Sequence, residues 1–123
     1  MKLRMRTLRI GDAEFRWTAE LCNYVDGTDC YRCVRIRIWG GGKNGQVLRV
    51  DLVSTSDAGP WGHCTNGAYP TPGAVRKVVD HALAIGWDPA TVGGRFLLTE
   101  TAELEIPGFE VTDRLQIMQH LTG

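Results

Sequence analysis

Two stretches decide the fold: Glu14-Phe15-Arg16-Trp17-Thr18-Ala19-Glu20-Leu21 and Cys33-Val34-Arg35-Ile36-Arg37-Ile38. Each alternates apolar with polar residues at a period of two, the mark of a strand with one covered face. Phe15, Trp17, Ala19 and Leu21 form one apolar set, and Val34, Ile36 and Ile38 the other. Between them stands Asp26-Gly27-Thr28-Asp29. Gly27 suits the first central position of a type II′ hairpin turn, where φ is positive. That two-residue turn predicts a register: Leu21 opposite Val34, Ala19 opposite Ile36, Trp17 opposite Ile38. On the other face it sets Glu20 opposite Arg35 and Cys22 opposite Cys33. A slip of one residue would place apolar side chains on the polar face.

The pattern continues outward on both sides. After Gly40-Gly41-Gly42-Lys43-Asn44-Gly45 comes Gln46 to Val53, with Leu48, Val50 and Leu52 on the apolar side. Matching apolar to apolar puts Arg35 opposite Asp51, so Glu20, Arg35 and Asp51 should form a ladder across three strands. The same register sets Arg37 opposite Arg49, which is unfavourable unless an acid or anion lies near. Upstream, Leu8 and Ile10 join Trp17 and Phe15 through a turn at Gly11-Asp12-Ala13, and a bulge near Thr7 would restore Leu3 and Met5 to the core. The expected sheet is a four-stranded antiparallel meander with one wet, arginine-bearing face.

Ser54 to Pro70, rich in Gly, Ser, Thr, Asn and Pro, reads as a long loop. Thr71 is then a helix N-cap, and Pro72 fits the first helical position. Val75, Val78, Val79, Ala82 and Leu83 fall on one helical stripe, and Gly86 stops the helix with Trp87 packing back. Asp88-Pro89 suggests one short turn. Arg95 to Thr99 reads as a strand, Glu100 to Gly108 as an acidic loop, and the tail from Phe109 as a strand or turn followed by a frayed helix. The fold class is α+β: the meander with one helix packed on one face, plus a C-terminal strand and short tail, in the order β-β-β-β-α-β. Residues 1–123 are expected to form one domain.

Pro72 to Leu115, with Thr71-Pro72-Gly73, Ala82-Leu83, Gly86-Trp87-Asp88-Pro89, Gly94, Phe96-Leu97-Leu98 and Val111-Thr112-Asp113-Arg114-Leu115, resembles a pattern of small uncharacterised bacterial proteins. The resemblance covers about a third of the chain. It implies a bacterial origin and the helix-then-strand order, and it carries no activity.

Charge narrows the function classes. Fourteen Lys plus Arg balance fourteen Asp plus Glu, for a formal net charge of +0. A neutral chain lacks the long-range field that gathers nucleic acid or anionic membrane. The basic start Met1-Lys2-Leu3-Arg4-Met5-Arg6 is followed by no apolar stretch of signal-peptide length, and no window approaches the ~18 apolar residues of a membrane span. A cytoplasmic location is expected, with Cys22, Cys30, Cys33 and Cys64 reduced.

Several residue groups suggest a chemistry beside an ordinary structural reading. Cys30-Tyr31-Arg32-Cys33 has C-x-x-C spacing, but on a strand the two thiols take opposite faces, unlike the helix start that activates a redox pair. Cys22 opposite Cys33 is within disulfide reach if oxidised. Zinc would need Cys22, Cys33, Cys64 and His63 or His81, scattered rather than arranged in paired knuckles. Trp61-Gly62-His63-Cys64, with Asn66 and Tyr69, sits in the long loop, where ligand-binding residues concentrate. There Cys64 would need His63 or His81 as base to act as a nucleophile. Otherwise Trp61 and Tyr69 plug the edge of the core. Glu103 and Glu105 read as solvated charge, and the 40–42 glycines belong to a hairpin rather than a phosphate loop.

The leading expectation is a small non-catalytic module that binds another macromolecule, in the manner of immunity or accessory proteins. Its binding residues would be Arg16, Arg37, Trp39, Arg49, Trp61 and Tyr69, since aromatic-plus-Arg surfaces carry binding energy. No cofactor or metal is expected. A protein partner is favoured, a homodimer by edge or face pairing is the second partner considered, and nucleic acid and membrane are disfavoured. The alternative is a small-ligand or Cys/His enzyme site in the 54–70 loop, using Cys64, His81 and His63.

Overall fold

The computed structural model describes residues 5–26, 29–40, 45–54, 70–106 and 108–112. Seven elements follow in chain order: β1 (Arg6–Ile10), β2 (Ala13–Asp26), β3 (Asp29–Trp39), β4 (Val47–Ser54), α1 (Pro72–Ala84), β5 (Arg95–Leu98) and β6 (Phe109–Val111). The class is α+β, a sheet with one helix among the described residues. No helix of these residues is long and apolar enough to cross a membrane.

β1 to β4 form the expected antiparallel meander. β2 and β3 pair as Trp17 with Ile38, Ala19 with Ile36, Leu21 with Val34 and Asp26 with Asp29. β3 and β4 pair as Val34 with Leu52, Arg35 with Asp51 and Arg37 with Arg49. Both registers follow the polar alternation. The Gly27-Thr28 turn lies outside the described residues, but its two-residue length agrees with the Asp26–Asp29 pair.

β1 departs from expectation. Its register runs unbroken from Arg6 opposite Trp17, through Leu8 opposite Phe15, to Ile10 opposite Ala13, with no bulge at Thr7; Ala13 is paired rather than part of the turn, so Leu8 and Ile10 sit two residues off the expected Trp17 and Phe15. Met5 therefore keeps the wrong parity for the core and is exposed; Leu3 lies outside the described residues. The hairpin closes at Gly11, where φ is 60°, as a tight turn with a left-handed first residue requires. Arg6, opposite Trp17, stacks its guanidinium 5.6 Å from the indole centroid.

The sheet is mixed rather than purely antiparallel. β5 runs parallel to β4, pairing Leu48 with Phe96 and Val50 with Leu98. A parallel neighbour needs a crossover connection, and here α1 lies on the path between the two strands. β6 takes the remaining length of the same β4 edge in the antiparallel sense, with Leu52 opposite Val111 and Val53 opposite Glu110. One edge of β4 is thus shared end to end by two short strands. Thr112 N–H extends the ladder to the Asp51 carbonyl at 2.9 Å.

The core joins Phe15, Trp17, Val34, Ile36, Ile38, Leu48, Val50 and Leu52 to the α1 residues Val75, Val78, Val79 and Ala82. Leu83, expected on the buried stripe, is 40% exposed, because the contact arc of α1 is narrower than the apolar arc of its sequence. Thr71 caps α1, its Oγ1 accepting from Ala74 N–H at 3.1 Å. At the other end Trp87 N–H donates to Ala82 O at 2.9 Å and Gly86 N–H to Leu83 O at 3.4 Å. This is a Schellman closure, with Gly86 at φ 118°.

Trp87 then fastens the helix end to the sheet. Its ring lies 5.9 Å from that of Phe15, and its Nε1–H donates to the Gln46 carbonyl at 3.0 Å. Asp88 opens a turn through Oδ1, which accepts from Ala90 N–H at 2.9 Å, and Gln46 N–H donates to Thr91 O. Gly40 is needed beside this turn: a Cβ there would stand 2.6 Å from Pro89 Cβ.

Candidate functional site

The face of the sheet away from the core carries Thr18 and Glu20 from β2, Cys33, Arg35 and Arg37 from β3, and Arg49 and Asp51 from β4. The sequence pattern reads this face as wet. At its centre it is not: Thr18, Cys33, Arg35, Arg49 and Asp51 are all buried. The alternation of charge sets which side each residue takes, but not whether that side meets water.

Burial changes how these charges must be held, since an ion removed from water needs close partners. Asp51 is the hub. Arg35 grips it through both forks, Nε to Oδ1 at 2.8 Å and Nη2 to Oδ2 at 3.2 Å. Arg49 Nη2 reaches the same Oδ2 at a looser 3.6 Å. The expected Glu20–Arg35–Asp51 ladder therefore forms in its second half. Glu20, although opposite Arg35, extends diagonally to Arg37 Nη1 at 3.1 Å. Rows two residues apart on one face lie within reach of long side chains, and Arg37 stands directly opposite Arg49.

Arg49 has the least favourable setting. Burial pushes its guanidinium below the ordinary arginine value; Asp51 opposes the shift, while Arg35, Arg95 and Arg37 add to it. Its Nε has no hydrogen-bond partner, and neither has the buried hydroxyl of Thr18.

One row outward, the same face is accessible. Thr7, Arg16 and Trp39 are successive cross-strand neighbours on β1, β2 and β3. Arg16 is exposed and Trp39 half-buried. On the far side of β4, Val47 pairs with Arg95, which is exposed. Neither Arg16 nor Arg95 makes an ion pair among the described residues. Of the sheet residues expected to bind a partner, Arg16, Arg37 and Trp39 retain accessible surface, whereas Arg49 is buried, 6% exposed.

Trp61, His63, Cys64, Asn66 and Tyr69, the expected loop site, lie outside the described residues. His81 is half-buried on α1 and lines a cleft of about 320 Å³ with Ile85, Leu97, Thr99 and Glu103. Cys22 and Cys33 are direct cross-strand partners, as the turn predicts, and Cys33 is buried. Residues 30 and 33 take opposite parities of β3, which does not suit a C-x-x-C redox pair.

A feature missed in the sequence is a cleft of about 760 Å³ where Lys77 of α1 meets Glu100, Glu105 and Glu110, floored by Ile106 and Phe109. The acidic run of 100–110 signals the charge. The cleft itself arises because β6 returns to β4 and carries Glu110 beside the loop. No protein-family model, no curated protein and no solved structure matches this chain.

Proposed function

We propose that this protein is a non-catalytic binding module for another protein, of the immunity or accessory kind. It would engage its partner through the accessible end of the outer sheet face. The observation that carries the reading is the direct cross-strand pair of exposed Arg16 and half-buried Trp39. A sheet holds such a pair at fixed spacing, so little ordering cost is left for the moment of binding. Arg and Trp are the side chains most often found where binding energy concentrates.

Electrostatics supports an acidic partner. Arg16 and Arg95 are free of ion pairs among the described residues, and Arg37 shares its one carboxylate, Glu20, with solvent. Further along the same face, the buried and doubly hydrogen-bonded Arg35–Asp51 pair ties β3 to β4. Partner carboxylates approaching Arg16 and Arg37 would raise the association rate and set orientation.

The test is affinity capture with the full chain, comparing wild type with Arg16→Glu and Trp39→Ala. A specific acidic protein held by the wild type should be lost from both variants, with affinity falling by about tenfold or more for the tryptophan. A specific partner retained equally by both variants would remove this face from the reading.

A further inference from the structure

Thr18, Arg37 and Arg49 form one row across three strands. Thr18 pairs with Arg37 across β2 and β3, and Arg37 with Arg49 across β3 and β4. Two polar atoms of this row are buried without a hydrogen-bond partner, Thr18 Oγ1 and Arg49 Nε. A buried donor left unmade forfeits its hydration with nothing in return, and the loss is larger when it is charged. Native structures rarely leave two in one row without an acceptor that belongs there.

The charges of the row point the same way. Arg37 and Arg49 stand directly opposite each other, an arrangement that disfavours folding unless an anion intervenes. Each arginine has one carboxylate within ion-pair distance, Glu20 on Arg37 Nη1 at 3.1 Å and Asp51 on Arg49 Nη2 at 3.6 Å, but Asp51 is also held by the fork of Arg35 and Arg49 Nε is left without a partner. Arg95 adds a further positive charge near Arg49. Neighbouring strands lie about 4.8 Å apart. The backbones of Thr18 and Arg49 are therefore roughly 10 Å apart, on either side of Arg37.

We infer that the Thr18–Arg37–Arg49 row is a binding site for an oxyanion, which accepts from the Thr18 hydroxyl and Arg49 Nε–H beside Arg37. The shared chemistry is a group with several acceptor oxygens, either a free phosphate-like anion or the carboxylate of an acidic protein partner. The inference goes beyond the partner-binding reading, because it needs neither Arg16 nor Trp39.

The experiment is calorimetric titration of the full chain with inorganic phosphate at constant ionic strength, repeated for Thr18→Val, Arg49→Gln and Arg76→Gln. Thr18→Val keeps the shape and removes an unpartnered hydroxyl, so it should fold with undiminished thermal stability. Wild type and the α1 surface variant Arg76→Gln should bind with the same saturable isotherm. Thr18→Val and Arg49→Gln should each raise the dissociation constant by about tenfold or more, the loss expected for a charged hydrogen bond. Displacement of phosphate by hexaglutamate would assign the site to a partner's carboxylate, and failure to displace it would assign the site to a free anion. No saturable phosphate binding by the wild type, or a folded Thr18→Val that binds as tightly as wild type, would overturn the inference. Loss of partner capture on Arg16→Glu reads out separately from either result.

Discussion

The two faces of the sheet are both buried at their centres, yet different physics holds them. On the inner face Ile36, Ile38, Leu48 and Val50 meet the valines of α1. Their attraction is non-directional and scales with area removed from water. On the outer face Arg35, Arg49 and Asp51 occupy the same strands one residue out of phase. There stabilisation depends on direction and on every partner being present. The inner face should tolerate a change of shape, whereas the outer face should not tolerate the loss of one charge.

The largest expected effect is on the outer face. Asp51→Ala leaves Arg35 and Arg49 buried without their shared carboxylate, and should cost about 3–5 kcal/mol in urea unfolding. If the cost is under about 1 kcal/mol, the buried ions do not hold that face. On the inner face Ile36→Ala should cost about 2–5 kcal/mol through lost burial and the cavity left behind. Ile36→Leu, which conserves volume, should cost under about 1.5 kcal/mol in the same assay. A loss as large as that of Ile36→Ala would show that the inner face is as exacting as the outer. The smallest effect belongs at the rim. Arg9 and Glu14 pair at 3.4 Å with Arg9 78% exposed, and Arg9→Ala should change the midpoint by less than about 1 kcal/mol. The same chemical bond should thus range from decisive to negligible with its exposure alone.

Much of the fold is legible in the residues because local rules agree with one another. A two-residue turn and two alternating strands leave one register, and the pairs Arg16–Trp39 and Arg35–Asp51 follow from it. Thr71, Gly86 and Trp87 announce both ends of α1, since capping is settled within a few residues of chain. The candidate surface is legible in part: parity sets Arg16, Trp39 and Arg37 on one side. Its depth is not. Arg49 and Arg16 look alike in an alternating strand, yet one is buried and the other exposed. The diagonal reach of Glu20 to Arg37 was equally hidden, because a register fixes Cα partners and leaves long side chains a choice.

The direction of β5 shows where local reading ends. Arg95-Phe96-Leu97-Leu98 reads as a strand whichever way it runs, and only its docking beside Leu48 and Val50 makes it parallel. The division of one β4 edge between β5 and β6 is likewise a result of packing. By itself, the sequence determined the meander, the registers of β2 with β3 and of β3 with β4, the helix and its caps, because turn geometry, side-chain alternation and capping act over short stretches of chain. Only the tertiary structure decided the parallel crossover, the acidic cleft beside Glu110 and the burial of Arg35, Arg49 and Asp51. Those depend on which distant segments come together, and so on how much water each charge loses.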